Sequence, residues 1–241
     1  MCTLDGCGSH EHLGPPPKAT DEQRRLFLKG AVALPLAIVL ADPILAHAQG
    51  AMLDKVTITT PEGAKMVAEI AMPATLPAPT IILIHEWWGL NDHIRAVAAE
   101  YAKQGYIALA VDLYGEPPAT TPDGARALMS GMDPVAATRK LQSSVEFLKN
   151  HKDSTGKVGS VGWCFGGGWS LNTALATDVD AAVIYYGNVN KTPEQVATLN
   201  AQLMGHFGTF DKTINKEMVE GFEQSLETAG KSLYKFYWYD A

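Results

Sequence analysis

Apolar runs typical of strands alternate with amphipathic segments typical of helices from about residue 56 to residue 238. The runs at 80–85 and 107–111 are continuously apolar, which is typical of strands buried on both faces of a sheet. Between them, residues 92–104 carry apolar side chains at the spacing of one helix face. This alternation predicts an α/β fold, with a mostly parallel twisted sheet and helices on both of its faces.

Further segments complete the series without an internal repeat or a linker. Residues 56–60 and 66–72 are predicted to form an opening antiparallel pair of strands around the sequence PEGAK. The other predicted elements are strands at 158–161, 181–186, 203–207 and 232–238, and helices at 122–130, 133–150, 164–176, 193–200 and 215–229. Residues 49–241 are therefore predicted to form one domain, with its chemistry at the carboxyl ends of the strands.

The first 48 residues have the layout of an export signal. Residues 1–23 form a polar leader, and RRLFLK at 24–29 resembles a twin-arginine signal. An apolar region follows, and then the small-residue pattern Ala46-His47-Ala48, after which cleavage is expected. The alternative is an uncleaved membrane anchor, although the uninterrupted apolar run is short for a span of about 20 residues. A periplasmic or extracellular protein that meets the membrane only during export is predicted.

Charge and cysteine content exclude several classes of protein. The chain has 19 basic and 26 acidic side chains, which argues against a nucleic-acid partner. CTLDGCGSHEH at 2–12 offers cysteine and histidine, but its spacing matches no zinc pattern well and it precedes the export signal. The glycines at 166–168 lack the GxGxxG spacing of a dinucleotide site. No metal and no cofactor are predicted.

Gly162-Trp163-Cys164-Phe165-Gly166 lies between a predicted strand and a predicted helix. This is the thiol version of the nucleophile elbow, a strained turn in which the neighbours of the central residue must be small. The amino terminus of the helix favours a thiolate, and the Phe165 N–H would face a developing oxyanion. The alternative is a buried structural thiol, because free cysteine packs like a small hydrophobic residue.

Two carboxylates follow predicted buried strands. Asp211 comes after the strand at 203–207, in the order nucleophile, acid, histidine that this fold uses; alternatively it caps the next helix. Glu86 directly follows the strand at 80–85 and could form a hydrogen bond with the thiol and control its ionisation. A solvated Glu86 is the other interpretation, which the adjacent Trp87 and Trp88 disfavour. The Trp87 N–H is the expected second oxyanion donor.

The motifs HEWWGLNDHIR, DLYG, KVGSVGWCFGG, YYG and GHFGTFD, in this order, resemble the dienelactone hydrolase (carboxymethylenebutenolidase) family from about residue 52 to the end. The resemblance implies an α/β-hydrolase fold and hydrolysis of a small-molecule ester or enol-lactone. It also implies that Cys164 is the nucleophile and Asp211 the triad acid. Glu86 would keep the thiol protonated until substrate displaces it, and would then take the thiol proton. A histidine would serve the acyl-enzyme steps.

The sequence departs from the family at that histidine. In the family it lies in a loop after the last strand, followed by a helix, whereas this chain reads KFYWYDA and stops at Ala241. The expectation is a sequence truncated before the triad histidine and the last helix. Four other histidines are not expected to replace it, namely His85, His93, His151 and His206. Arg126 is the best candidate for contact with a substrate carboxylate.

A second class of function stays open. A non-catalytic, exported binding protein would keep the same fold and pocket without the complete triad. The survival of Cys164, Glu86 and Asp211 favours a hydrolase, because a decayed enzyme is expected to lose these residues first. The natural substrate and the oligomeric state are not predicted by the sequence.

Overall fold

The computed structural model describes residues 2–3, 6–7, 18–28, 34 and 36–240. Strands and helices again alternate along most of these residues. The strands are β1 (Cys2–Thr3), β2 (Gly6–Cys7), β3 (Asp54–Thr59), β4 (Lys65–Ala71), β5 (Ala78–Ile84), β6 (Ile107–Val111), β7 (Ser154–Trp163), β8 (Ala181–Tyr185), β9 (Gln202–Gly208) and β10 (Tyr234–Tyr239). The helices are α1 (Asp21–Leu28), α2 (Leu36–Leu40), α3 (Pro43–Gly50), α4 (Asp92–Lys103), α5 (Pro122–Gly131), α6 (Pro134–Lys149), α7 (Phe165–Ala176), α8 (Pro193–Val196) and α9 (Lys216–Thr228).

Eight of these strands form one sheet in the order β10-β9-β8-β7-β5-β6-β4-β3. The pairs β3–β4 and β4–β6 are antiparallel, and every other neighbouring pair is parallel. The α/β class, the mostly parallel sheet and the opening antiparallel pair are thus confirmed. Because β5, β7, β8 and β9 are consecutive and parallel in this sheet, their carboxyl ends lie along the same edge.

Helices cover both faces of the sheet, as predicted. Helices α6, α7 and α9 pack on one face around a core that includes Leu141, Leu171 and Phe222. Helix α4 packs on the other face through Ile94 and Ala98. Burial of these apolar faces stabilises the domain by about 25 cal/mol per Å² removed from water.

Four aromatic rings stack side by side across β7, β8, β9 and β10, on the face of the sheet that α4 also contacts. This aromatic row consists of Trp163, Tyr185, His206 and Tyr237, with successive ring centroids 5.6, 4.4 and 5.2 Å apart. All four side chains remain partly exposed. His206 therefore lies on the open side of its strand and is not one of the fully buried core residues.

Two elements differ from their predicted lengths. Strand β7 begins at Ser154, four residues before the apolar run that predicted it, because its polar first half also pairs with β5. Helix α8 ends at Val196 although a helix to about residue 200 was expected. The Leu199 N–H bonds to the Val196 carbonyl and both side chains are buried, so the chain turns there toward β9.

The segment at 36–50 packs on the domain as helices α2 and α3. Ala46 in α3 is 5% exposed, and the Gln49 amide donates to the carbonyl oxygen of Ala96 in α4 at 3.3 Å. The expected cleavage pattern, 46–48, thus lies inside a helix that contacts α4. Residues 29–33 and 35 of the predicted apolar region lie outside the described residues. Among the helices that are described, none is long and apolar enough to cross a membrane.

Candidate active site

Cys164 occupies the sharp turn between β7 and α7. Its backbone has φ 56° and ψ −118°, an uncommon conformation for a residue other than glycine, and its N–H donates to the Tyr185 carbonyl at 3.0 Å. A Cβ atom on Gly166 would overlap the carbonyl oxygens of Ile84 and His85, and one on Gly162 would overlap the Gly166 carbonyl. Glycine is therefore required on both sides of Cys164, as in a nucleophile elbow.

The Cys164 side chain is a thiol at neutral pH. Burial, followed by the charge of Glu86, raises the pKa of Cys164 to about 11, although the Phe165 N–H acts in the opposite direction. The amino terminus of α7 does favour the thiolate, as expected, through the Phe165 N–H, but burial and the nearby carboxylate outweigh this effect. The Phe165 N–H forms a hydrogen bond with the sulfur, and its role as an oxyanion donor stays a prediction.

Glu86 lies just beyond the end of β5 and is 8% exposed. Burial raises its pKa to about 7, although a hydrogen bond from the Tyr186 hydroxyl lowers it. The interpretation of Glu86 as a solvated residue is therefore wrong. Tyr186, whose φ is 37°, follows β8 directly and reaches Glu86 across the end of β7, which lies between β5 and β8. Tyr186 is part of the YYG motif, but no local sequence pattern indicated a role for its hydroxyl.

Asp211 lies in the loop after β9, as predicted. Its carboxylate accepts hydrogen bonds from the backbone N–H groups of Thr213 at 2.7 Å and Ile214 at 3.0 Å. The following helix, α9, is capped by Asn215, which accepts from the Met218 N–H at 3.0 Å. Asp211 is therefore not the cap of α9. Its charge contributes to raising the pKa of Cys164, so it belongs to the same cluster.

The described histidines act elsewhere. His85 is fully buried, His206 bonds to the Tyr239 hydroxyl at 2.8 Å, and His151 accepts from the Asp153 N–H at 3.3 Å. Burial lowers the pKa of His93. No histidine between residues 36 and 240 is among the groups that shift the pKa of Cys164.

Two further sequence predictions concern a cation that would contact a substrate carboxylate and the absence of a metal site. Arg126 lies on α5 and pairs with Asp123 at 2.5 Å, with 57% of its side chain exposed. Across residues 18–28, 34 and 36–240, no three His, Cys, Asp or Glu side chains are grouped to hold a metal ion.

Cys164, Glu86, Tyr186 and Asp211 thus follow four consecutive parallel strands at one edge of the sheet. The family model for the dienelactone hydrolase family matches residues 66–241. The chain belongs to the dienelactone hydrolase family. Membership agrees with the α/β-hydrolase fold that the strand order and the elbow define.

This chain is similar to named members of the dienelactone hydrolase family over most of their length. Carboxymethylenebutenolidase of Pseudomonas putida is 28% identical over 203 residues, 78% of this chain and 84% of that protein. Carboxymethylenebutenolidase 1 of Cupriavidus pinatubonensis is 28% identical over 174 residues, 68% of this chain and 74% of that protein. Among solved structures, a dienelactone hydrolase-like promiscuous phosphotriesterase from metagenomic libraries has a TM-score of 0.69 at 20% identity, covering 78% of this chain and 82% of that one.

Proposed function

We propose that the protein is a cysteine-dependent hydrolase of an ester or enol-lactone, with Cys164 as its nucleophile. The observation that carries this proposal is a protonated thiol on a strained elbow beside a buried carboxylate whose pKa is about 7. The names of the relatives support a lactone as substrate, because carboxymethylenebutenolidase denotes a lactone hydrolase.

The resting site resists ionisation of the thiol. The pKa values of Cys164 and Glu86, about 11 and about 7, differ by about 4. The proton therefore stays on the sulfur while Glu86 is a carboxylate, and moving it to Glu86 costs free energy. A substrate that enters and shifts Glu86 toward the sulfur lowers this cost, so that activation depends on the ligand.

The reaction then proceeds by acyl transfer. Glu86 takes the thiol proton, the sulfur forms a bond to the carbonyl carbon, and the carbonyl electron pair moves to oxygen, where the N–H groups of Trp87 and Phe165 stabilise it. Collapse breaks the ester C–O bond, and the leaving oxygen takes the proton back from Glu86. Water next attacks the thioester carbonyl, the C–S bond breaks, and the sulfur takes one proton of the water; a histidine oriented by Asp211 accelerates this step and is not needed for acylation. None of the histidines at 36–240 is proposed for this role.

The test compares the wild type with Cys164→Ala and Glu86→Gln on p-nitrophenyl acetate and on a dienelactone. Wild-type hydrolysis is expected, with kcat/KM at least 10³-fold lower in Cys164→Ala because the nucleophile is lost. Glu86→Gln is expected to lower kcat, since no group then takes the thiol proton. Wild-type turnover that survives Cys164→Ala would overturn the assignment of the nucleophile. A wild type that releases no p-nitrophenolate, even as a single burst, and does not open the lactone would favour a binding protein.

Export through a twin-arginine pathway is proposed for the same chain. It is supported by Arg24 and Arg25, which precede the apolar region and the Ala46-His47-Ala48 pattern. The full-length chain should appear in the periplasm of a bacterium that has this pathway, and the double variant Arg24→Lys, Arg25→Lys should stay in the cytoplasm. Equal periplasmic amounts of the two proteins in cell fractions would contradict the proposal.

A further inference from the structure

We propose that His85 is a positioning residue that orients the peptide between Glu86 and Trp87, and so aims the Trp87 N–H at the oxyanion. This inference rests on the proposed function. His85 directly precedes Glu86 and is completely buried. Neither the turn at Cys164 nor the positions of Glu86 and Asp211 require a histidine there. Its two ring nitrogens connect the loop after β5 with the loop after β6.

The hydrogen bonds of His85 define its tautomer. The Leu113 N–H donates to Nε2 at 3.2 Å, so Nε2 carries a lone pair and no proton. Nδ1 therefore carries the proton and donates to the Glu86 carbonyl oxygen at 2.6 Å. The ring packs between Tyr114 and Phe165, with centroids 4.8 and 5.9 Å away. A neutral imidazole with both nitrogens engaged has a fixed orientation.

The geometry of a trans peptide converts this contact into control of the oxyanion donor. In a trans peptide the C=O of one residue and the N–H of the next point in opposite directions from the same plane. Because Nδ1 of His85 holds the Glu86 C=O, the Trp87 N–H points away from His85. The Trp87 N–H forms no hydrogen bond with any described residue, so it is available to a ligand.

The next two carbonyl groups of this loop are held from the same side. The Tyr114 hydroxyl donates to the Trp87 carbonyl at 3.2 Å, and the Ala119 N–H donates to the Trp88 carbonyl at 2.8 Å. Leu113, whose N–H donates to His85, is also held through its carbonyl oxygen. That oxygen accepts a hydrogen bond from the Lys140 ammonium at 2.7 Å. The loop after β6 thus holds the loop that carries Glu86 in position. Of the contacts between these two loops, the one made by His85 is the most deeply buried.

The surroundings of His85 argue against a role as an acid or base. Burial lowers its pKa, and of the charged groups that act on it, the Asp112 carboxylate raises that pKa while the Lys140 ammonium lowers it. Neither ring nitrogen has a lone pair or proton that is free for substrate. The expected contribution is therefore to transition-state binding through Trp87.

The experiment compares His85→Phe, which keeps a ring but loses both nitrogens, with His85→Asn, whose amide can replace the Nδ1 donor. In p-nitrophenyl acetate hydrolysis, His85→Phe should lower kcat by about 10- to 100-fold with KM changed less than about threefold, below the 10²- to 10³-fold typical of a deleted oxyanion donor. His85→Asn should stay within about tenfold of wild-type kcat. His151→Phe, a ring replacement at the other end of β7, is the matched control and should change neither constant.

The affinity for a compound that forms a tetrahedral adduct gives a second measurement. A general loss of stability would not lower this affinity by the same factor as kcat. An aryl trifluoromethyl ketone forms a hemithioketal with Cys164 and places its oxyanion on the two N–H donors. His85→Phe should weaken ketone affinity by the same factor as kcat, and His85→Asn should not. If the wild type hydrolyses ester and His85→Phe matches it in kcat and ketone affinity, this inference fails alone. If the wild type neither hydrolyses ester nor binds ketone, the proposed function fails and the inference with it.

Hydrogen exchange distinguishes loss of the contact from loss of the fold. The Leu113 N–H, whose acceptor is Nε2 of His85, should exchange at least tenfold faster in His85→Phe than in the wild type. Amide groups in β8 and β9 should exchange at unchanged rates. Equal protection of Leu113 in both proteins would show that His85 does not connect the two loops, and would overturn the inference whatever the activity.

Discussion

The behaviour of the site depends on which of two side chains, Cys164 or Glu86, carries a proton. Glu86 is buried and Cys164 is partly buried at neighbouring strand ends, and loss of solvent contact raises both pKa values. A nucleophile that is protonated at rest reacts only when something in the pocket changes the balance between the two groups. Tyr186 contributes to that balance, because its hydroxyl stabilises the ionised form of Glu86.

Glu86 should make the stability of the protein depend on pH. Its pKa is raised from 4.5 to about 7 in the folded state, so the folded state binds the extra proton. The stabilisation from this group is complete below pH 4.5 and is lost as the pH rises through about 7, by about 3 kcal/mol. Urea unfolding of the wild type and Glu86→Gln between pH 4 and pH 8 measures it. Parallel pH dependences in the two proteins would contradict this prediction.

Among the secondary-structure elements, α7 is the one whose position is most tightly constrained. Its first turn approaches the backbone of β5 and the chain after β8 so closely that a Cβ atom would overlap backbone atoms at positions 166 and 167, and would pack tightly against Asn188 at position 168. The amino terminus of the helix is thereby held against the strand ends that carry the site. This close approach explains why glycine occurs where helix propensity would disfavour it.

Replacement of Gly166 by alanine should therefore be severe. The added Cβ would overlap the Ile84 carbonyl oxygen, which cannot move without displacing β5, and a loss of at least about 3 kcal/mol is expected. Gly221, exposed in the middle of α9 with nothing within 4 Å of an added Cβ, is the matched control. Gly221→Ala should stabilise the protein by about 0.5–1 kcal/mol. Thermal unfolding of both variants tests this, and a Gly166→Ala protein as stable as the wild type would contradict it.

For the whole molecule, the fold and the turn at Cys164 could be predicted from the sequence, whereas the side-chain contacts between distant segments could not. The apolar runs of β5 and β6 and the glycines around Cys164 have local signatures, so the fold and the elbow were predictable. The contacts of Tyr186 with Glu86 and of His85 with Leu113 join segments that are far apart in sequence. Such contacts appear only when the strand order β9-β8-β7-β5-β6 is known. The large contribution of burial to the raised pKa of Cys164 could not be predicted, because burial depends on all of its neighbours.

The packing of α3 on α4 was also missed, because residues 36–50 read as part of an export signal. Gly50 lies against Arg95, which in turn pairs with the largely buried Glu69 of β4 at 2.9 Å. A chain that begins at Gln49, as cleavage after Ala48 would produce, uncovers this side of α4. Its melting temperature should fall by about 3–8 °C relative to the full chain, because 1 kcal/mol corresponds to about 2–4 °C for a domain of this size.

A chain that begins at Ala19 provides the control for this deletion, because it keeps helices α1 to α3. Differential scanning calorimetry of the two shortened chains and the full chain separates the effect of α3 from that of the leader. Equal melting temperatures for the full chain and the chain that begins at Gln49 would show that α3 adds nothing to stability.

The raised pKa of Cys164 also affects how long the protein survives in an oxidising compartment. Peroxide attacks the thiolate, and with a pKa of about 11 only about one molecule in 10⁴ carries it at pH 7. Each event that ionises the sulfur for catalysis also exposes it to oxidation to sulfenic acid. Inactivation by peroxide should therefore accelerate in the presence of a ligand that activates the thiol without consuming it, so that the lifetime of the protein depends on occupancy of its pocket.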